Sequence, residues 1–279
     1  MSSELWFTEY NKNKNFGMTF KVRQYLFHEK TKYQTIDIFD TFEYGKVLVL
    51  DGMVMLTEKD EFVYHEMLVH VPINSILNHG KEPKRILVIG GGDGGAVKEI
   101  IKYPFIEQID LCEIDEKVVE YSLKYLNPIS SSLEDEKVKI IIEDGREFIK
   151  KCNKNTYDVV CVDSTEPNNI SLFDIEFYKN ISKILNQNGV VTVQVGSYVF
   201  HKNLLEEINK IFKSVFSINK LYSANVSSYP SGVWYFAYGS NSVGAIISSE
   251  FVKTKELYYN GEIHNASFVL PTYIKEILK

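Results

Sequence analysis

Cysteine is scarce: Cys112, Cys152 and Cys161 are the only three in 279 residues. The number is odd and no two stand as a CxxC pair, which argues against a disulfide framework and against a zinc site. Cys112 and Cys161 lie inside apolar runs and read as small buried hydrophobes. No apolar run approaches the roughly 20 residues that a membrane-crossing helix needs. The opening residues, MSSELWFTEYNKNKN, lack a basic segment followed by an apolar one. A secretory signal is therefore not read, and a cytoplasmic location is expected. Basic residues are outnumbered, with 31 Lys+Arg against 37 Asp+Glu, for a formal charge of −6. That balance argues against a nucleic-acid partner, which calls for a basic face, and a membrane partner is not expected either. There is no internal repeat and no low-complexity segment.

What is present is ordinary globular composition, 44% hydrophobic and 24% charged, in a chain long enough to bury a core without disulfides or structural metal. The first sixty residues alternate apolar and polar positions, as in MTFKVRQYLFHEKT and YQTIDIFDT. Asp51-Gly52 splits two apolar runs and predicts a hairpin. From Thr57 the period becomes helical. Thr57 and Asp60 resemble a capping box, and the helix through EKDEFVYHEMLVH is expected to stop near Pro72. After NHGKEPK, strands and helices alternate: RILVIG, GAVKEIIKY, IDLCEID, EKVVEYSLKYL, KVKIIIEDG, REFIKKC, YDVVCVD, DIEFYKNISKIL, VVTVQVG and KNLLEEINKIF. Two late β runs, SINKLYSA and GVWYFAYGS, fit an antiparallel edge. The expected class is α/β: a Rossmann-like, mostly parallel sheet over residues 57–279, preceded by a small antiparallel β domain over residues 1–56.

Four clusters could carry chemistry, all at strand ends. Residues 90–95, GGGDGG, follow one strand and open a helix, where small residues and free N–H groups suit close approach of a ligand. Glu113 ends the next strand about 20 residues on, the place of an acid that takes ribose hydroxyls in NAD or in S-adenosylmethionine. Asp144-Gly145 ends a third strand and could accept from an adenine amino group. Asp163-Ser164-Thr165-Glu166-Pro167 ends a fourth. Asp93, Asp163 and Glu166 would converge on one crevice. Clustered carboxylates repel unless a cation lies among them, so a positively charged substrate is expected.

Taken in order, Tyr33-Gln34, DEFVYHEMLVHVP (60–72), GGGDGG (90–95), CEID (112–115), EDG (143–145), DSTEP (163–167) and YPSGVW (229–234) resemble the spermidine synthase family of polyamine aminopropyltransferases. The resemblance implies a methyltransferase-type Rossmann-like fold and a homodimer or homotetramer. It also implies transfer of an aminopropyl group from decarboxylated S-adenosylmethionine, a co-substrate and the only cofactor-like molecule needed, to a polyamine. Putrescine is the default acceptor, giving spermidine and 5′-methylthioadenosine. Carried over by position, Gln34, Glu113, Asp144 and Gly145 would hold the methylthioadenosine part. His65 and Asp93 would hold the amine-bearing part. Asp163 would accept the proton with Glu166 beside it, and Tyr64 and Tyr229 would line the polyamine channel. Tyr229-Pro230-Ser231-Gly232 suits a type I turn. Three positions depart from the family pattern: Glu166 where Asp is usual, Asn168-Asn169-Ile170 in place of a glycine- and proline-containing stretch, and Gly196 where some members carry an acid. A small-amine N-methyltransferase using intact S-adenosylmethionine is the nearest rival. Asp93 would repel that cofactor's carboxylate. An NAD-dependent dehydrogenase and a non-catalytic nucleotide-binding protein are more distant alternatives.

Overall fold

The computed structural model describes residues 4–164, 174–248 and 256–279. Two sheets organise it. The first is antiparallel, in chain order: β1 (Leu5–Tyr10), β2 (Gly17–Lys30), β3 (Thr35–Thr41), β4 (Lys46–Leu50) and β5 (Met53–Thr57). Asp51 and Gly52 both have positive φ, 50° and 82°, and close the β4–β5 hairpin in the two-residue form expected of Asp-Gly. The sheet packs Ile36, Ile38, Leu48, Leu50 and Leu56 against Val118, Tyr121 and Leu126. These last lie on or just after helix α3 (Glu116–Tyr125), so the small sheet is seated on the larger layer.

The second sheet has seven strands in the order β11-β12-β10-β9-β6-β7-β8. Parallel pairing links β8 (Val138–Ile142), β7 (Gln108–Glu113), β6 (Arg85–Gly90), β9 (Tyr157–Asp163) and β10 (Leu185–Gly196). Strands β12 (Val233–Ser240) and β11 (Ile218–Asn225) add an antiparallel edge. The fold is Rossmann-like, as expected. The central strands are apolar on both faces because both are covered. Ile86, Val88, Val159 and Cys161 face helices α1 (Glu61–Asn78) and α2 (Gly95–Ile100). Leu87, Ile89, Val160 and Val162 face α4 (Gly145–Lys151), α5 (Ile175–Ile184) and α6 (Tyr198–Val215). Strand growth reverses at β6, with β7 on one side and β9 on the other. Ligands bind such sheets where the loops at the strands' carboxyl ends part. Two short helices, α7 (Gly261–Ser267) and α8 (Thr272–Ile277), follow the sheet. No described helix is long and apolar enough to cross a membrane.

Helix α1 corrects two expectations. Its N-cap is Asp60, not Thr57, whose hydroxyl donates to Asp60 Oδ1 at 2.7 Å. It also runs through Pro72 to Asn78. A proline inside a helix leaves the carbonyl four residues back without its donor. Here that carbonyl belongs to Leu68, and Thr192 Oγ1 on β10 donates to it at 2.9 Å. The helix continues because the sheet supplies the lost hydrogen bond. It stops at His79-Gly80, where Gly80 has φ 79°.

Candidate active site

The loop after β6 is shaped by protein neighbours as much as by room for a ligand. A side chain at Gly90 would lie 2.1 Å from the Asp163 carbonyl, and Gly91 N–H donates to that carbonyl at 2.9 Å. The ends of β6 and β9 are thereby drawn together, which sets Asp163 beside the loop. At Gly95 a Cβ would lie 2.1 Å from the His65 ring. The missing side chain lets α1 press His65 against the start of α2, where Asp93 Oδ1 accepts from Gly95 N–H at 2.7 Å.

One cleft gathers nine of the residues singled out in the sequence: Gln34, Tyr64, His65, Asp93, Glu113, Asp144, Gly145, Asp163 and Tyr229. Glu166 and Ile170 lie outside the described residues. At the acidic end, Tyr64 OH donates to Asp163 Oδ1 at 2.7 Å. His65 Nδ1 lies 2.7 Å from Glu61 Oε2, and its Nε2 is 3.5 Å from Asp93 Oδ1 and 4.0 Å from Asp163 Oδ2. The second Asp163 oxygen, Oδ2, is buried and has no hydrogen-bond partner among the described residues. Burial first, then the charge of Asp93, pushes the Asp163 carboxyl up to about 6, against His65 and the Tyr64 hydrogen bond. Burial alone would drive the proton off His65. The hydrogen bond to Glu61 and the charges of Asp93, Glu61 and Asp163 outweigh it and hold the imidazole up to about 9. His65 Nε2 and the Asp93 and Asp163 carboxylates lie within 4.8 Å of one another, close enough to enclose a cation. A second cluster, His70, Glu99 and Glu256, lies outside the cleft, and the Lys102 ammonium already sits on both its carboxylates.

At the other end, Glu113 is buried and accepts N–H groups from Gly92 at 3.3 Å and Asp115 at 2.9 Å. Burial pushes its carboxyl up to about 7, against those two donors and the Ile114 N–H. Asp144 caps α4 by accepting from Arg146 N–H at 2.8 Å. Gln34, between β2 and β3, donates to Asp115 Oδ2 at 3.2 Å, and Thr31 donates to the same oxygen at 2.7 Å. Those bonds hold the small sheet over this end of the cleft. Ile89, Cys112, Ile114 and Val118 give that end an apolar wall.

Tyr229 enters on a turn that differs from the expected one. Gly232 N–H donates to Tyr229 O at 2.9 Å, but Ser231 has φ 72°, the left-handed value at the third position that defines type II and not type I. Asp60 holds the approach to this turn, accepting from both hydroxyls of Ser227 and Ser228 and from the Ser228 N–H. Gln194 bridges two walls, donating to Ser164 O at 2.8 Å and accepting from Trp234 Nε1 at 3.2 Å. At Gly196 a Cβ would lie 2.5 Å from His201 Nδ1, so the imidazole fills the space a side chain there would take. Glu9 on β1 also lines the cleft and was not foreseen; its Oε2 accepts from Val54 N–H at 3.1 Å. The available signal was an acid in register with Leu5 and Phe7 on one strand face.

Comparison with known proteins gives a consistent answer. Residues 61–249 match the model of the spermine/spermidine synthase domain, and residues 5–58 that of the spermidine synthase tetramerisation domain. A polyamine aminopropyltransferase of Shouchella clausii is 45% identical over 99% of this chain and 100% of its own length. That of Bacillus subtilis is 43% identical over 99% and 100%. A crystal structure of a spermidine synthase in complex with the transition-state analogue AdoDATO superposes with a TM-score of 0.93 at 37% identity, covering 98% of this chain and 94% of that one. The Thermotoga maritima spermidine synthase gives 0.92 at the same identity. With a matching fold, two family models covering most of its length and full-length relatives well above 30% identity, the chain belongs to the spermidine synthase family and is a polyamine aminopropyltransferase.

Proposed function

We propose that the cleft binds decarboxylated S-adenosylmethionine and transfers its aminopropyl group to putrescine, giving spermidine and 5′-methylthioadenosine. One observation carries this reading: the buried, unpartnered Asp163 Oδ2 beside Asp93. A buried carboxylate oxygen without a donor is costly, and an ammonium group satisfies it in both charge and hydrogen bonding. The complex of a spermidine synthase with AdoDATO supports a co-substrate of this kind.

In this reading Glu113 takes the ribose hydroxyls, and Asp144, Gly145 and Gln34 border the adenine and ribose. Asp93 takes the aminopropyl ammonium, and His65 lies against that carboxylate, with Nε2 3.5 Å from Asp93 Oδ1. The acceptor lies along Tyr64 and Tyr229, whose rings are 5.7 Å apart, with Asp163 at the reacting nitrogen and Glu166 as a second anchor. The lone pair of the neutral amine forms the new C–N bond while the C–S pair returns to sulfur, which leaves as a neutral thioether. The surplus proton on nitrogen passes to Asp163. Holding two cationic reactants in line makes the step effectively unimolecular, and fixed carboxylates offset their charge. Asp93 favours the decarboxylated donor over intact S-adenosylmethionine, whose own carboxylate it would repel.

The small sheet is proposed to form a separate unit, residues 1–56 against 57–279, through which chains associate as a homodimer or homotetramer. The match to a tetramerisation domain supports association. The deciding experiment incubates purified protein with decarboxylated or intact S-adenosylmethionine and a panel of putrescine, cadaverine, agmatine, diaminopropane and spermidine. Release of methylthioadenosine and a new polyamine only with the decarboxylated donor is expected. Methyl transfer from the intact donor would overturn the reading.

A further inference from the structure

We propose that Glu61 is a positioning residue for the transfer: acting through His65, it keeps a protonated imidazole nitrogen facing Asp93 and Asp163. The inference rests on the reading of Asp163 as proton acceptor.

Glu61 and His65 stand four residues apart on α1, both buried, with side-chain exposures of 5% and 2%. Glu61 Oε2 takes His65 Nδ1 at 2.7 Å, and its other oxygen is held by the Lys98 ammonium from α2. Both oxygens are therefore engaged, and the carboxylate cannot turn away from the ring. The groups facing His65 are Glu61 from its own helix, Asp93 from the loop after β6, Asp163 from the end of β9, and the neighbouring Tyr64, whose ring stands edge-on to it at 5.1 Å. Three of the four are acids, and the Lys98 ammonium sits on Glu61. A carboxylate on Nδ1 fixes that nitrogen as a donor and raises the basicity of Nε2. With a proton on each nitrogen, the ring presents Nε2 toward Asp93 and Asp163, 3.5 and 4.0 Å away. His65 is thus a cation built into the protein, held there before any substrate ammonium arrives.

The consequence falls on Asp163. Burial and Asp93 raise its carboxyl, and the His65 cation is one of the two groups that lower it. Without Glu61's charge the buried imidazole holds its proton less tightly, and Asp163 has a weaker cationic neighbour. Asp163 then binds its own proton at higher pH and is blocked as an acceptor. Glu61 therefore sets the lower pH limit of the reaction without touching a substrate atom.

Glu61→Gln keeps the shape and removes the charge. The acidic limb of the kcat/KM profile should move up by about one pH unit or more, with activity recovering toward wild type at high pH. In a His65→Gln background the same change should shift the limb no further, because the route through His65 is already gone. Imidazole nitrogen shifts in NMR of the unliganded wild type should show His65 protonated at pH 8, and neutral at that pH in Glu61→Gln. A limb that stays in place, a full additional shift in the double variant, or a neutral His65 in the wild type at pH 8 would each overturn the proposal. If Glu61→Gln does not fold, the wild-type NMR titration still decides it. Failure of wild-type protein to release methylthioadenosine would instead sink the reading of the reaction, leaving the state of His65 as measured.

Discussion

As the proposed proton acceptor, Asp163 is under two opposed demands. To accept a proton it must be ionised, yet burial and the neighbouring Asp93 raise its carboxyl to about 6. The Tyr64 hydroxyl and the His65 cation keep it ionised near neutral pH, while the raised value brings it closer to the amine it must deprotonate. Asp163→Asn preserves the shape and removes the acceptor. It should lower kcat by about 100- to 10,000-fold while methylthioadenosine still binds near normally in calorimetry. Retention of more than about a tenth of wild-type kcat would move the base elsewhere. In its proposed role as the ribose acid, Glu113 leads to a different pH dependence. Its carboxyl sits at about 7 in the free cleft because of burial. Only the ionised form accepts two ribose hydroxyls. Below that value the group must release a proton to bind nucleoside, so methylthioadenosine affinity should rise with pH through about 7 and then level off. Titrations at pH 6, 7 and 8 in buffers of different ionisation enthalpy would reveal the released proton; a flat affinity would count against Glu113 as the ribose acid.

At the scale of elements, α1 has the most to reconcile. It carries Tyr64 and His65 into the cleft at one end and is anchored across the sheet further along. Its length depends on Thr192, whose hydroxyl serves the Leu68 carbonyl that Pro72 leaves without a donor. Thr192 is fully buried on β10. Thr192→Val keeps the volume and strands a buried carbonyl, so urea unfolding should show a loss of about 1–3 kcal/mol. An unchanged midpoint would mean that the helix satisfies Leu68 another way, for instance through Cys161 Sγ at 3.8 Å. The N-terminal end of α1, which carries Tyr64 and His65, is tied to the Tyr229 turn by Asp60, which accepts from Ser227 and Ser228. The acidic and aromatic walls of the cleft are thus held by one helix terminus.

For the whole molecule, the small sheet packs on α3 over only part of its area. Ile36, Ile38 and Leu48 pack down on α3. Toward solvent, Trp6 and Phe42 are 51% and 52% exposed, with the Lys21 ammonium over both rings. Large exposed aromatics close together mark an association surface. Light scattering at micromolar concentration should give a multiple of the chain mass, and Trp6→Glu combined with Phe42→Glu should reduce it. A wild-type mass of one chain would refute association, and an unaltered mass in the variant would place the interface elsewhere.

The sequence by itself determined what depends on neighbours along the chain. Apolar runs such as ILVI and VVCV announce strands covered on both faces, Asp51-Gly52 announces its hairpin, and glycines and acids at four strand ends announce a crevice at their carboxyl side. Nine of the ten expected site residues meet in one cleft: strand order brings Asp93, Glu113, Asp144, Gly145 and Asp163 together, and α1, the small sheet and the Tyr229 turn add the other four. Only the tertiary structure decided matters settled by groups distant in sequence. Pro72 reads as a stop because its effect on Leu68 is local, and the remedy comes from Thr192, 124 residues further along. The turn at Tyr229 took a left-handed Ser231, a choice that the tetrapeptide leaves open and that Asp60, packed from another element, helps hold. Glu61 reads as an acidic residue in the first turn of a helix, favourable there on dipole grounds alone. Its link through His65 to Asp163 exists only because Gly95 lets the imidazole close on the loop. Periodicity and turn chemistry act within a few residues, whereas the partner of a buried polar atom is chosen by packing.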